Sequence, residues 1–150
     1  MAREHPLVAE VLRGGGGFLC DTAPLVYWLE RSGPRPVRAA VDALFDGVEE
    51  GVLGCLVSSL SAAELLVRPY RIGPPAVTVV DGFLRSSSVG LVPPSLGVAH
   101  GAARLVARRL LPRLGDAVVA ATAAELGLLL VTADRRLARA VKGLLVQDFA

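Results

Sequence analysis

The sequence predicts an α/β fold in which helices cover both faces of a parallel sheet. Short, continuously apolar runs such as Phe18 to Cys20, Val52 to Val57 and Leu128 to Thr132 read as strands buried on both sides. Segments with apolar residues at helical spacing alternate with them, the signature of strand–helix–strand units. At 150 residues the chain is about one domain long, enough to close an ordinary core. Ligands of such sheets bind beyond the carboxyl ends of the strands, near a topological switch point. The residues that follow each strand are therefore the ones to weigh.

Pro6 to Arg13 reads as a short helix, and Gly14 to Gly17 as a flexible linker, because consecutive glycines are costly to order. Residues 1–17 thus form an N-terminal extension, either a docking arm or an over-extended start, before a domain over 18–150. After Asp21, Thr22 to Glu30 reads as a helix with Thr22 as N-cap and Pro24 in the first turn. Arg31 to Pro36 breaks it. Val37, Val41, Leu44, Phe45 and Val48 recur on one helical face that ends near Gly51. Val52 to Val57 is a buried strand and Ser61 to Val67 a helix, interrupted by prolines 69, 74 and 75. Ala76 to Leu84 is helical despite its valines and Thr78, and Gly90 to Val92 is a short strand. Ser95 to Leu110 reads as a helix whose apolar face is Leu96, Ala99, Ala103, Val106 and Leu110. Asp116 to Leu126 is a helix stopped by Gly127, and Leu128 to Thr132 a strand. Arg135 to Val141 and Leu144 to Val146 close the chain as helix and strand.

Composition excludes several classes. The hydrophobic fraction is 53%, yet the richest apolar stretch, Ala117 to Val131, is interrupted by Glu125 and preceded by Asp116. No segment supplies the roughly 18 uncharged apolar residues of a membrane span. Glu4, His5, Pro6 and Glu10 stand where a signal peptide carries its apolar core, so the expected location is cytoplasmic. Cys20 and Cys55 lie in apolar strand-like runs and read as small buried hydrophobes. With only His5 and His100 besides, they offer no zinc-ligand spacing, and a reducing cytosol disfavours their pairing. The net charge of +2 does not identify a nucleic-acid binder. Lys142 is the only lysine, and arginine forks suit phosphate and base recognition. An arginine, alanine, glycine and valine bias also accompanies GC-rich coding.

Four acids remain: Asp21 in FLCDT, Glu64 in SAAELLV, Asp116 in GDAVVAATA and Asp134 in VTADRRLAR. Each has a local explanation. Glu64 follows Ser61 at capping-box spacing, Asp116 and Asp134 suit helix starts, and Asp21 suits a strand end. Together they differ from Glu30, Asp42, Asp46, Glu49, Glu50 and Glu125, which fall on polar helix faces or ends. The quartet borders the most apolar segments, where uncompensated charge is unfavourable. Two carboxylates about 5 Å apart repel by about 3 kcal/mol at an effective dielectric of about 20. A hard divalent cation removes that repulsion.

In these residues the chain resembles the PIN-domain nucleases, and within them the VapC-type toxins of bacterial toxin–antitoxin pairs. The resemblance runs from about Phe18 to Phe149: the strand ending in Asp21-Thr22 before LVYWLE, the serine-rich exit Ser58 to Glu64, the GDAVVAATAAELG helix with Asp116, and LLLVTAD with Thr132 and Asp134. Two positions depart from the pattern. Ala23 replaces an often polar residue, and Gly115 an often-found proline.

The resemblance implies a three-layer α/β/α PIN-like fold with a mostly parallel central sheet. It implies an endoribonuclease using Mg²⁺, or Mn²⁺ in its place, that leaves 5′ phosphate and 3′ hydroxyl ends. Asp21, Asp116 and Asp134 would be ligands, and Glu64 would join them or orient and deprotonate the attacking water. Thr22 and Thr132 would hydrogen-bond to carboxylates or phosphate, although Thr22 serves equally as a helix cap. Arg68, Arg71 and Arg113 flank the acids in sequence and would hold RNA, transfer or ribosomal; solvated arginine is the alternative. His100 reads as structural. Tyr27 and Trp28 read as packing residues, or as part of the homodimer interface common in the family. A cognate antitoxin protein is the other partner implied, and no membrane. A housekeeping RNA-processing nuclease or a non-catalytic PIN-like binding module are the alternatives. A phosphotransfer receiver fails because Lys142 precedes a strand, and a haloacid-type phosphatase fails because Asp21-Thr22-Ala23 lacks the second aspartate.

Overall fold

The structure, a computed structural model, describes residues 5–150; Glu4 of the leader reading lies outside them. Five strands form one sheet in the order β3-β2-β1-β4-β5, with every pair parallel. They are β1 (Gly17–Cys20), β2 (Gly54–Ser58), β3 (Val89–Val92), β4 (Leu129–Thr132) and β5 (Gly143–Leu145). The chain first winds outward from β1 to β3, then returns to place β4 against the other edge of β1. That reversal makes the gap between β1 and β4 the topological switch point.

Side chains alternate across each strand and feed two cores. On one face Phe18, Cys20, Cys55, Val57 and Val131 join α1 (Pro6–Arg13), α2 (Thr22–Leu29), α3 (Arg35–Glu49), α4 (Ser59–Ile72), α5 (Pro74–Leu84) and a closing 3-10 helix (Val146–Phe149). On the other, Leu19 and Leu130 pack under α6 (Leu96–Ala107), α7 (Leu114–Leu126) and α8 (Arg135–Ala140). The architecture is a three-layer α/β/α sandwich, its sheet wholly parallel. Both cysteines are free and buried, and burial pushes the Cys20 thiol up. Trp28 stacks on Phe45 at 4.8 Å and leans on Phe83 at 5.2 Å, a packing role. Among the described residues no helix is long and apolar enough to cross a membrane.

Several local expectations change. The glycine run is a folded turn and not a loose linker: Gly15 and Gly16 take φ of +104° and +89°, and the Gly16 amide donates to Val11. A left-handed turn needs such residues. It folds α1 back, so that Leu7, Val8 and Val11 are fully buried. Asp21, not Thr22, caps α2. Pro34 caps α3 and Pro36 sits in its first turn, so the expected breaker opens a helix. Pro69 lies inside α4 without ending it. Its side chain is buried and its carbonyl still accepts from the Gly73 amide at 2.9 Å, so the helical ladder continues past the one bond that the ring removes. The buried face of α6 is Val98 and Ala102, whereas Leu96 and Leu110 are 76% and 56% exposed. Small residues decide that rotation: a Cβ on Gly101 would stand 3.1 Å from Ala121 Cβ, so α6 approaches α7 along its glycine side.

Candidate active site at the carboxyl edge of the sheet

The switch point gathers the four acids. Asp21 directly follows β1, its amide donating to the Val131 carbonyl of β4 at 2.9 Å. Asp134 follows β4 by two residues, Glu64 projects from α4, and Asp116 lies in the first turn of α7.

Two threonines tie three of the acids together. Thr132, fully buried, donates its hydroxyl to Asp21 Oδ2 at 2.8 Å and accepts the Asp134 amide at 3.0 Å. Thr22 donates its amide to Asp21 Oδ1 at 2.8 Å and its hydroxyl to Glu64 Oε1 at 3.4 Å. A chain of contacts thus runs from Glu64 through Thr22, Asp21 and Thr132 to Asp134. Asp116 is joined by charge rather than by hydrogen bonds.

Electrostatics shows the same grouping. Burial raises the Asp21 pKa most; the Thr132 and Thr22 bonds oppose this, and the charges of Asp116 and Asp134 add to it. Burial and then the Asp21 charge raise Glu64, with Thr22 opposing and Asp116 adding. Burial and then Asp134 raise Asp116, against the Arg113 guanidinium. Like charges sharing a partly desolvated edge resist ionisation together.

The capping explanations divide. Asp21 and Asp134 are N-caps, Asp134 accepting the Arg136 amide at 2.9 Å and the Leu137 amide at 3.2 Å. Asp116 caps nothing, since α7 starts at Leu114 without a side-chain cap. Glu64 is beyond any capping role, because Ser58 caps α4. Ser61, read as a cap, instead holds a buried hydroxyl without a partner among the described residues, one turn before Glu64. Sequence reasoning missed it because a capping-box spacing explained it fully.

Of the arginines, Arg113 stands close enough to Asp116 to act on it. Arg68 pairs with Glu30 at 3.2 Å, while Arg71 and His100 are exposed on α4 and α6.

The donor set is chemically suited to a hard divalent cation: carboxylate and hydroxyl oxygens, with Cys20 turned into the core. Among the described residues no three His, Cys, Asp or Glu side chains converge into a ready ion cage as they stand.

The PIN domain family pattern matches residues 18–143. The chain belongs to the PIN domain family. Solved structures share the fold at low identity. A toxin–antitoxin complex from Klebsiella pneumoniae superposes with a TM-score of 0.67 at 20% identity, over 86% of this chain and 97% of that one. FitAcB from Neisseria gonorrhoeae gives 0.67 at 20%, over 87% and 98%. VapBC2 from Rickettsia felis, bound to a fragment of promoter DNA, gives 0.62 at 18%, over 86% and 96%. Comparison with curated protein sequences returns no match. The PIN match begins at Phe18, so α1 precedes it and yet packs into the same core.

Proposed function

We propose that this PIN protein is a metal-dependent endoribonuclease, the toxin of a type II toxin–antitoxin pair, acting in the cytoplasm as a homodimer and silenced by a cognate antitoxin protein. The observation that carries the reading is the switch-point cluster: acids from four separate elements share one edge, three of them linked through Thr22 and Thr132. The toxin–antitoxin setting of the structural relatives supports the partner.

Asp21, Asp116, Asp134 and Glu64 would hold Mg²⁺ or Mn²⁺. When bound, such an ion neutralises phosphate charge, acidifies a water and stabilises the leaving oxygen. Asp21 is the fixed member, since both its oxygens are engaged by the threonines. Glu64, exposed and held by a single long bond, is free to orient the attacking water and receive its proton. Its raised pKa suits it to that exchange. Arg113 counters the acid charge beside Asp116, where an incoming phosphate would otherwise be repelled.

The test is cleavage of transfer and ribosomal RNA by purified protein with Mg²⁺, Mn²⁺ or chelator. Cleavage is expected only with metal, and Asp21→Asn or Asp116→Asn should lower it by about a thousandfold, or about 4 kcal/mol of barrier, with the fold retained. Equal cleavage by these variants would sink the assignment. Growth arrest on expression, relieved by a small neighbouring reading frame, separates a toxin from a housekeeping nuclease.

A further inference from the structure

Away from the four acids, the α6–α7–α8 face carries a groove that the reading above leaves without a role. A hollow of about 520 Å³ lies between α6 and α7 and the end of α8, and a second of about 370 Å³ lies beside α8. Both are lined by Leu110 and Ala140, so the two hollows are neighbours. The floor is made of small and apolar side chains, among them Gly101, Ala121 and Leu105. Arg104 and Arg108 line the first hollow; Arg135, Arg136 and Arg139 line the second. Asp134 is the N-cap of α8, so Arg135 and Arg136 of the second hollow directly follow a member of the acid cluster.

The charge is concentrated and largely uncompensated. Residues 104–142 hold eight of the sixteen basic residues and three acids, two of which are Asp116 and Asp134. The third, Glu125, lies in the first hollow, where its carboxylate accepts the Ser95 hydroxyl at 2.6 Å. Arg104 with Arg108, and Arg135 with Arg139, are like-charge pairs at i,i+4, a spacing that disfavours a helix unless an anion joins them. Among the described residues the only ion pair on any of the five is Arg135 with Asp148, at 4.0 Å.

We propose that this groove is the track for the RNA strand extending from the scissile phosphate, its arginines holding successive phosphates and its apolar floor receiving ribose and base faces. The identity of the ligand rests on the nuclease reading. Guanidinium forks match phosphate oxygens in pairs, and unpaired bases settle on apolar surfaces. An acid centre repels a polyanion, so the attraction must come from beside it. Arg68, engaged with Glu30, is replaced in that task by the α6 and α8 arginines.

The test measures binding of a fluorescent single-stranded RNA of about a dozen nucleotides to the full chain in chelator, by anisotropy across a salt series. Arg108→Glu with Arg139→Glu should weaken binding by about tenfold or more and flatten the salt dependence by about 0.7 in slope per lost phosphate contact. The milder Arg108→Gln with Arg139→Gln should move both in the same direction. Arg35→Glu with Arg38→Glu, on α3, should change little. All are checked for unaltered thermal unfolding. Unchanged RNA affinity in the groove variants, or equal losses in the α3 control, overturns the proposal. So does a loss of affinity for polyglutamate without a loss for RNA, which would make the groove a protein-docking site. Groove-dependent binding by a chain that never cleaves keeps the track and removes the nuclease; cleavage with groove-independent binding does the reverse.

Discussion

The two faces of the sheet are built from different materials. Under α1 to α5 the core is bulky: Leu7, Phe18, Leu25, Leu44 and Phe45 are fully or almost fully buried, with Trp28 stacked on Phe45. Under α6 to α8 no aromatic is buried and alanine is the commonest residue, Ala102, Ala117, Ala120, Ala121 and Ala123 lying among Leu19, Leu111, Leu130 and Leu137. Their outer surfaces differ too, with Asp42, Asp46 and Glu49 exposed on α3 and Glu50 at its end, against the arginines of α6 and α8. Large side chains remove more apolar area from water, so the first face supplies most of the hydrophobic stabilisation. Small ones bring α6 and α7 close and leave the groove open. The acids sit on the seam, Glu64 supplied by the first face, Asp116 and Asp134 by the second.

The largest effects that test this contrast are on stability. Phe45→Ala should cost about 3–5 kcal/mol and Leu7→Ala about 2–5 kcal/mol, through lost burial and cavities. Ala120→Leu, on the thin face, should cost about 1–3 kcal/mol through overpacking instead. Urea unfolding measures all three. A Leu7→Ala protein as stable as its parent would mean that α1 is not part of the core. An Ala120→Leu protein with unchanged stability would mean that the thin face is loosely packed.

The same contrast explains what the sequence discloses. On the bulky face periodicity is plain, and Val37, Val41, Leu44, Phe45 and Val48 are buried as their spacing predicts. On the thin face contact is made through Gly101 and Ala121, which carry almost no hydrophobic signal, so the larger Leu96 and Leu110 misdirect the assignment. The strand ends were legible because continuous apolar runs stop at Asp21 and just before Asp134. Which threonine would bind which acid was not, since Thr132 and Asp21 are 111 positions apart and meet only through β1–β4 pairing. Glycine costs and prolines mark turns but do not say how tightly a turn folds back. Hence Gly15 and Gly16 read as linker, and Pro69 as a break.

The threonines carry the contrast into the site. Thr132 ties Asp21 to the second face through a buried 2.8 Å bond, whereas Thr22 reaches Glu64 at 3.4 Å near solvent. Thr132→Val keeps the shape, frees one oxygen of Asp21 and leaves the Asp134 amide without its acceptor. Activity or metal affinity should fall by about 10- to 100-fold, the range for groups that orient ligands. Thr22→Val leaves the amide bond to Asp21 and should lose less. Metal titration by calorimetry separates them, and equal losses would show that the two faces hold Asp21 alike.

The smallest effect is in the pH dependence, and its sign follows from the seam. Asp21, Glu64 and Asp116 have pKa values raised above their ordinary 3.8, 4.5 and 3.8, foremost by burial and then by one another's charge and that of Asp134. A raised value means that the folded chain keeps protons that the unfolded chain has released. The resulting stabilisation is fully present below the ordinary values and is lost as pH rises through the raised ones. Apart from the contribution of other groups, the unfolding temperature should therefore fall across that window. Asp21→Asn removes one of these raised groups, so the difference between variant and parent should grow with pH in the variant's favour. Saturating Mg²⁺ should shrink that difference by favouring the charged forms in the parent. Parallel pH curves for parent and variant would show that Asp21 does not feel the acids donated by the two faces.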